Sequence, residues 1–343
     1  NQISAISTGN SIDSLTPVEN IDSVEINPDS ILKIEFSQPL TTLAQFFMGM
    51  KEIKSIDFSH FISTEVTDMS QLFSGCNQTE TITFGDNFDT KKVTKLNDIF
   101  FGCSSLISIN LSKFTTDLVT DMSRMFLYCS KLTEINLETF NTENVKSFEG
   151  MFGQCLSIKS LDLSSFNTGE VTNMNTMFAG CNSLTSINFG NNFNTEKVTS
   201  MDSMFMNCAN LISLDLSQFI TSLVNDTGSM FIGCSSLKIL DISNFNMTKI
   251  AANEESNVNI FFDATSLRYL NLYNVVLGGF DFSETELEEL ENLIVCKKND
   301  SNPFKNGNSI IYQCCENGFD ITTDKCRSEN YILVSYASDF SSK

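Results

Sequence analysis

Tryptophan is absent from this chain of 343 residues, and histidine occurs once, as His60. A Ser-His-Asp triad or a helical zinc-protease motif would have to rest on that single imidazole. Basic residues are scarce: 21 Lys and Arg stand against 42 Asp and Glu, a formal net charge of -21. Binding to nucleic-acid phosphates needs clustered Lys and Arg, so nucleic acid is excluded as a partner. An anionic lipid surface is excluded on the same ground. No apolar run approaches the ~20 residues of a membrane span, and Tyr331-Ile332-Leu333-Val334 is typical of the longest pieces. Glycines fall mainly in F-x-G-C turns instead of a phosphate-cradling loop, and the carboxylates form no distinct pair. The expectation is a protein that is not an enzyme, with no cofactor and no metal. The opening Asn1-Gln2-Ile3 has neither Met nor a basic and apolar leader, and reads as a processed N-terminus. No early Cys offers a lipid anchor and no hydrophobic tail offers a glycolipid one.

What is abundant is phenylalanine, 30 residues of it, in a chain that is 41% hydrophobic and able to bury a core. At roughly 150 residues per domain the length suggests about two domains. Internal repetition overrides that expectation. Phe followed three residues later by Cys recurs at Phe73 and Cys76, Phe100 and Cys103, Phe126 and Cys129, Phe152 and Cys155, Phe178 and Cys181, Phe205 and Cys208, and Phe231 and Cys234. The Cys spacings are 27, 26, 26, 26, 27 and 26 residues. Degenerate units at Phe47 with Met50 and at Phe261 with Ala264 bring the total to nine, of which seven are well formed. Both 27-residue steps insert one residue in a Gly/Asn turn, Gly85-Asp86-Asn87 and Gly190-Asn191-Asn192, where insertion costs little.

Each unit carries the same further columns. Three residues after Cys stands an apolar residue such as Leu106, Leu132 or Leu184, followed by alternating apolar pairs such as Leu161 and Leu163. A second Phe column runs Phe61, Phe88, Phe114, Phe140, Phe166, Phe193, Phe219 and Phe245, and Met columns close the unit, as at Met174 and Met177. The two Phe columns hold 17 of the 30 Phe residues, so the composition is mostly one motif copied nine times. The period-two stretch predicts a short strand with one face inward, and the Val-Thr-x-Met-x-x-Met-Phe stretch predicts a short helical or 3₁₀ turn opposite it. One unit cannot bury its apolar face alone; stacked units can. The predicted fold is an α/β repeat solenoid of about nine 26-residue coils, with one parallel β-sheet, short helical turns and terminal caps. Its expected parts are an N-terminal cap or extension over 1–30, the solenoid over 31–275, and a helical, Cys-rich cap over 276–343.

The L-x-x-I-x-L core with F-x-x-C resembles a leucine-rich repeat. Residues 157–181 follow the pattern S-L-x-S-L-D-L-S-S-F-N-T-x-x-V-T-x-M-x-x-M-F-x-G-C, which resembles the BspA-like leucine-rich-repeat surface proteins of bacteria and protists. The resemblance covers about residues 31–275. Departures lie at Leu96, Phe148 and Thr227 in one Met column and at Met50 and Ala264 in the Cys column. It implies a non-enzymatic secreted or cell-surface protein, an adhesin or a binding scaffold for protein or glycan on a cell or matrix.

The seven repeat cysteines fall in one column whose side chains point the same way, and are expected to be buried thiols. Cys296, Cys314, Cys315 and Cys326 are even in number and lie outside the repeat, which reads as a two-disulfide cap in an oxidising compartment, with a four-Cys zinc site as the alternative. N-x-S/T sequons fall at Asn77, Asn110, Asn225, Asn246 and Asn299. Asn110 sits in a strand, which leaves Asn77, Asn225, Asn246 and Asn299 as glycan candidates. Ser283-Glu284-Thr285-Glu286 is a capping box, and Leu287, Leu290, Leu293 and Ile294 follow at helical spacing, predicting an amphipathic lid over the last coil.

One outward residue per strand builds the candidate ligand face: Asp57, Thr83, Asn110, Asn136, Asp162, Asn188, Asp215, Asp241 and Asn271, flanked mostly by Ser or Gly. Such a flat, small-sided column serves either as a solvated sheet face or as a recognition face for protein or glycan. The Thr columns at Thr142, Thr168 and Thr195 and at Thr120, Thr172 and Thr199 are expected to bond turn backbone. Two functions remain: an extracellular recognition or adhesion module, or a structural subunit joined into a filament or coat by end-to-end stacking or strand exchange through residues 1–30.

Overall fold

Alternation in each repeat lasts only three or four residues, and the strands are correspondingly short. The structure is a computed structural model in which the described residues are 3–9, 16–17, 31–36, 38–251, 260–282, 285, 287, 290, 293–297, 304, 311–314, 319–320, 325–326 and 332–333. An antiparallel sheet comes first, β1 (Ile3–Gly9) lying between β2 (Thr16–Pro17) and β3 (Ile31–Phe36). Then one strand follows per repeat: β4 (Ser55–Phe58), β5 (Thr81–Phe84), β6 (Ser108–Ile109), β7 (Glu134–Ile135), β8 (Ser160–Asp162), β9 (Ser186–Asn188), β10 (Ser213–Asp215), β11 (Ile239–Asp241) and β12 (Tyr269–Asn271). All pairings among these nine are parallel and join a residue to its equivalent in the next coil, as Leu161 to Ile187 and Leu240 to Leu270. One apolar residue at the same place in each strand points inward; Ile56, Ile82, Ile109, Leu161, Leu214, Leu240 and Leu270 are buried, and Ile135 and Ile187 are half-buried against the core. The described residues of the repeat therefore form a parallel β-solenoid of about nine turns.

The opposite side departs from the helical expectation. Among the described residues only α1 (Thr248–Ala251) is an α-helix. Along Met69–Cys76, alternate N–H groups leave the coil: those of Met69, Gln71, Phe73 and Gly75 donate to the carbonyls of Lys95, Asn97, Ile99 and Phe101 in the next coil. The intervening ones close tight turns, Leu72 to Met69, Ser74 to Gln71 and Cys76 to Phe73. An α-helix needs each N–H for its own turn, so this division rules one out. Two of these turns carry a residue of positive φ in third place, Gln71 (57°) and Gly75 (77°), as a type II turn requires. Successive tight turns bury side chains at an interval close to three or four residues, which imitates the spacing of a helical or 3₁₀ turn. The same side carries an unbroken series of single-residue parallel bridges, Thr42, Asp68, Lys95, Asp121, Ser147, Asn173, Ser200 and Asp226.

Ladders of like side chains fill the interior. Phe47, Phe73, Phe100, Phe126, Phe152, Phe178, Phe205, Phe231 and Phe261 stack ring on ring, with centroids 5.3 to 5.9 Å apart and planes within 12°. A centroid separation above the ~4.8 Å coil rise means that the rings are offset, the favoured arrangement for parallel aromatics. One defect interrupts the core. Thr227 takes a Met place, is fully buried, and its Oγ1 has no hydrogen-bond partner.

Past residue 275 the ladder continues. β13 (Ile294–Cys296) pairs parallel with β12, and β14 (Ile311–Cys314) pairs parallel with β13. Phe282 packs on Phe261 at 6.1 Å and Phe304 on Phe282 at 5.7 Å, prolonging the Phe column. The predicted lid helix over 287–294 is thus corrected, since Ile294 begins a strand. Of the residues carrying the apolar spacing, Leu287 and Leu293 are buried, as the wall of a further turn of the stack requires. The capping-box residues Ser283, Glu284 and Glu286 lie outside the described residues. β17 (Ile332–Leu333) then pairs antiparallel with β14, and β15 (Phe319–Asp320) pairs with β16 (Lys325–Cys326).

Candidate interaction site

Eight of the nine outward residues are Asp or Asn: Asp57, Asn110, Asn136, Asp162, Asn188, Asp215, Asp241 and Asn271, the ninth being Thr83. The structure sets them in or beside the short strands, with register pairs Asp162 to Asn188, Asp215 to Asp241 and Asp241 to Asn271. Every one accepts, on its Oδ1, the N–H of the residue two further on: Ser59, Ser112, Glu138, Ser164, Gly190, Ser217, Ser243 and Tyr273. These are Asx turns, and they end each strand by offering its backbone a local partner. Half of each side chain is therefore engaged in folding. The second oxygen or the amide nitrogen is left for a neighbour or for solvent: Asn188 Nδ2 donates to Asp162 at 3.1 Å and Asn271 Nδ2 to Asp241 at 2.7 Å. The Ser164 hydrogen bonds hold the Asp162 carboxyl below the usual carboxylate value. Asp162 thus stays ionised on an exposed face, beside an amide and hydroxyls.

The same device recurs at two other corners of the coil, at Asp89, Asn141, Asn167 and Asn194, and at Asp68, Asp121, Asn173 and Asp226. Asx corners therefore number up to three per coil, all three being present at Asp162, Asn167 and Asn173.

The Thr columns bond backbone as expected. Thr142 Oγ1 donates to the Asn167 carbonyl at 2.8 Å and accepts the Asn167 N–H at 2.9 Å, and Thr90, Thr116, Thr195 and Thr221 hold the next coil in the same two-sided way. Thr168 donates to the Asn194 carbonyl, while Thr172 and Thr199 donate back to the preceding coil, to Lys146 and Thr172. At Thr120 the backbone N–H makes that backward bond. The seven repeat cysteines are buried free thiols. Each donates its S–H to the carbonyl of a Phe one coil back, as Cys155 does to Phe126 at 3.2 Å. Burial pushes the Cys129 and Cys181 thiols up to about 12, which removes them from thiolate chemistry near neutral pH.

Cys296 is buried on β13 and is not among those thiols. The side chains of Cys314 and Cys326, and all of Cys315, lie outside the described residues. Asn77 is exposed; Asn225 is exposed, but the Thr227 of its sequon is core; Asn246 is half-buried with its Oδ1 committed to Thr248; Asn299 lies outside the described residues. His60 is exposed beside the Ser59 hydroxyl. Among the described residues no group of three or more His, Cys, Asp or Glu could hold a metal, and no helix is long and apolar enough to cross a membrane.

A stack of 26-residue turns with Phe, Met and Cys ladders defines a parallel β-solenoid repeat protein. Within that class, residues 41–160, 107–189 and 157–268 match the family described as "Mycoplasma protein of unknown function, DUF285", and the chain belongs to that family. Comparison with curated proteins returns no match. Similar solved structures include a leucine-rich repeat protein from Bacteroides ovatus (17% identity, 90% of this chain and 88% of that one, TM-score 0.35). A leucine-rich cell surface protein from Faecalibacterium prausnitzii is similar at 15% identity over 81% of this chain and 86% of that one, with a TM-score of 0.30. An internalin, InlF, from Listeria monocytogenes is similar at 12% identity over 76% and 84%, with a TM-score of 0.28.

Proposed function

We propose that the chain is a non-enzymatic binding scaffold of the BspA-like kind, displayed outside the cell and recognising protein or glycan through its exposed sheet face. The observation that carries this reading is the outward Asp/Asn column. Eight of the nine coils carry such a residue, its Oδ1 held by an Asx turn, and present carboxylate oxygens and amide groups in one column. A rigid, regularly spaced set of donors and acceptors loses little side-chain entropy on binding. The extracellular part of the reading is supported by the four cysteines outside the repeat, read as a disulfide cap, and by Asn77, an exposed sequon that could carry a glycan.

The test is binding of the labelled intact chain to arrays of matrix proteins and glycans. The parent is compared with an Asp162→Lys/Asn188→Lys/Asp215→Lys variant and with a Glu143→Lys/Glu170→Lys control of the same charge sense. Saturable binding lost only in the first variant is expected; identical binding by all three would sink the face assignment. For the cap, thiol counting in denaturant without reductant should find seven free thiols, and eleven would remove the disulfides.

A further inference from the structure

The two ends of the stack are chemically unlike. In the turn segments from Leu43 to Gly233, alternate N–H groups donate to the C-terminal neighbour, whose alternate carbonyls face back to receive them. The first coil obeys this rule on one side only. The N–H groups of Leu43, Gln45, Phe47 and Gly49 donate to Asp68, Ser70, Leu72 and Ser74, whereas the carbonyls of Thr42, Ala44, Phe46 and Met48 accept no backbone hydrogen bond among the described residues. Beside this row of bare acceptors, Met48 is 49% and Met50 38% exposed. Phe36 of β3 packs on the same end, with its ring on Phe46 at 5.6 Å and on Phe61 at 6.0 Å, and among the described residues no ring contact covers Met48 or Met50.

We propose that this open end is a docking face for a polypeptide segment of a partner protein, which adds to the stack as one further turn. The occupant follows from the hydrogen-bond polarity. A row of acceptors two residues apart requires donors two residues apart, which is what a backbone in the conformation of these turns supplies to every later coil. The same face of a second copy offers only acceptors and is repelled. At the far end of a second copy the described residues finish in an antiparallel strand, β17 on β14, which breaks the parallel register that a continued stack needs on its sheet side. The partner segment therefore carries free backbone N–H groups and apolar side chains to cover Met48 and Met50. This is strand-addition recognition in which main-chain bonds give affinity and flexible Met side chains adapt to the partner. It goes beyond the sheet-face reading and stands or falls independently of it, because the two faces share no residue.

The probe is a labelled peptide of residues 172–181 with Cys181→Ser. Within the fold, the Met174, Thr176, Phe178 and Gly180 N–H groups of this segment make the same forward bonds. Added to the intact chain and followed by fluorescence anisotropy, it should bind saturably, with a Kd on the order of 10 μM. Affinity should fall at least about tenfold in a Met48→Asp/Met50→Asp chain, and about as much when the peptide's Phe178 nitrogen is methylated so that it cannot donate. A Leu223→Asp chain, altered at an exposed residue of another coil, should bind like the parent. No saturable binding up to about 1 mM, or binding indifferent both to Met48→Asp/Met50→Asp and to the N-methyl group, overturns the proposal.

Discussion

The sheet side and the turn side of the solenoid are built from the same 26 residues but hold the stack together differently. On the sheet side the strands are two to four residues long, and their pairings stop between β5 and β6, β7 and β8, and β9 and β10. On the turn side the single-residue bridges run unbroken from Thr42 to Asp226, and about half the N–H groups of each turn segment cross to the next coil. The turn side also carries the Phe, Met and Cys ladders and the paired Thr bonds. The difference teaches that the familiar strand motif carries the smaller share of the stack's cohesion here, while the less regular segment is the spine.

Four substitutions put that contrast at risk. Phe152→Ala removes a fully buried ring stacked on both neighbours, and should cost about 4 kcal/mol in denaturant unfolding, enough to open the middle of the stack. Asp162→Ala on the sheet side should cost far less, and equal losses from the two would end the division of labour. Thr142→Val strips partners from both the N–H and the carbonyl of Asn167 in the next coil; a loss of about 2 kcal/mol is expected, read from the urea midpoint. The reverse sign is expected at Thr227→Val. Replacing a buried hydroxyl that lacks a partner with an isosteric methyl should raise stability by about 1 kcal/mol, and a lower Tm would contradict the assignment of Thr227 as a core defect. The smallest effect belongs to acid titration of Asp162, whose carboxyl the Ser164 bonds hold below its ordinary value. A carboxyl depressed in the fold adds stability above its unfolded value, and that increment is lost as pH falls through the folded one. The stability gap between parent and Asp162→Ala should therefore narrow below about pH 4 and stay constant above about pH 6.

The sequence made the repeat and nearly all of its interior legible, because Phe152, Cys155, Leu161, Val171 and Met177 are apolar at fixed offsets and all are buried. It did not make the turn conformation legible. The left-handed positions that route N–H groups to the next coil are occupied by Gln71, Asp98, Arg124, Gly150, Thr176 and Ser203, a set with no common chemistry. The continuation of the stack at the C-terminal end is not legible either, because Phe282 and Phe304 follow at 21 and 22 residues, off the period, and lack the Cys. The candidate face was found as a column, but its structural duty was not. An Asx turn needs only the residue and a free N–H two places on, so sequence cannot separate it from a ligand group.

The Thr bond to the next coil has one more consequence. Thr116, Thr142 and Thr195 each hold a residue at an offset of 25, and nothing in that contact depends on which coil makes it. A copy of 26 residues inserted or lost between two well-formed coils would meet the same partners at the same distance. The molecule is in this sense a ruler graduated in steps of ~4.8 Å. Its reach can change by duplication of a short stretch of gene without any new interface having to be invented.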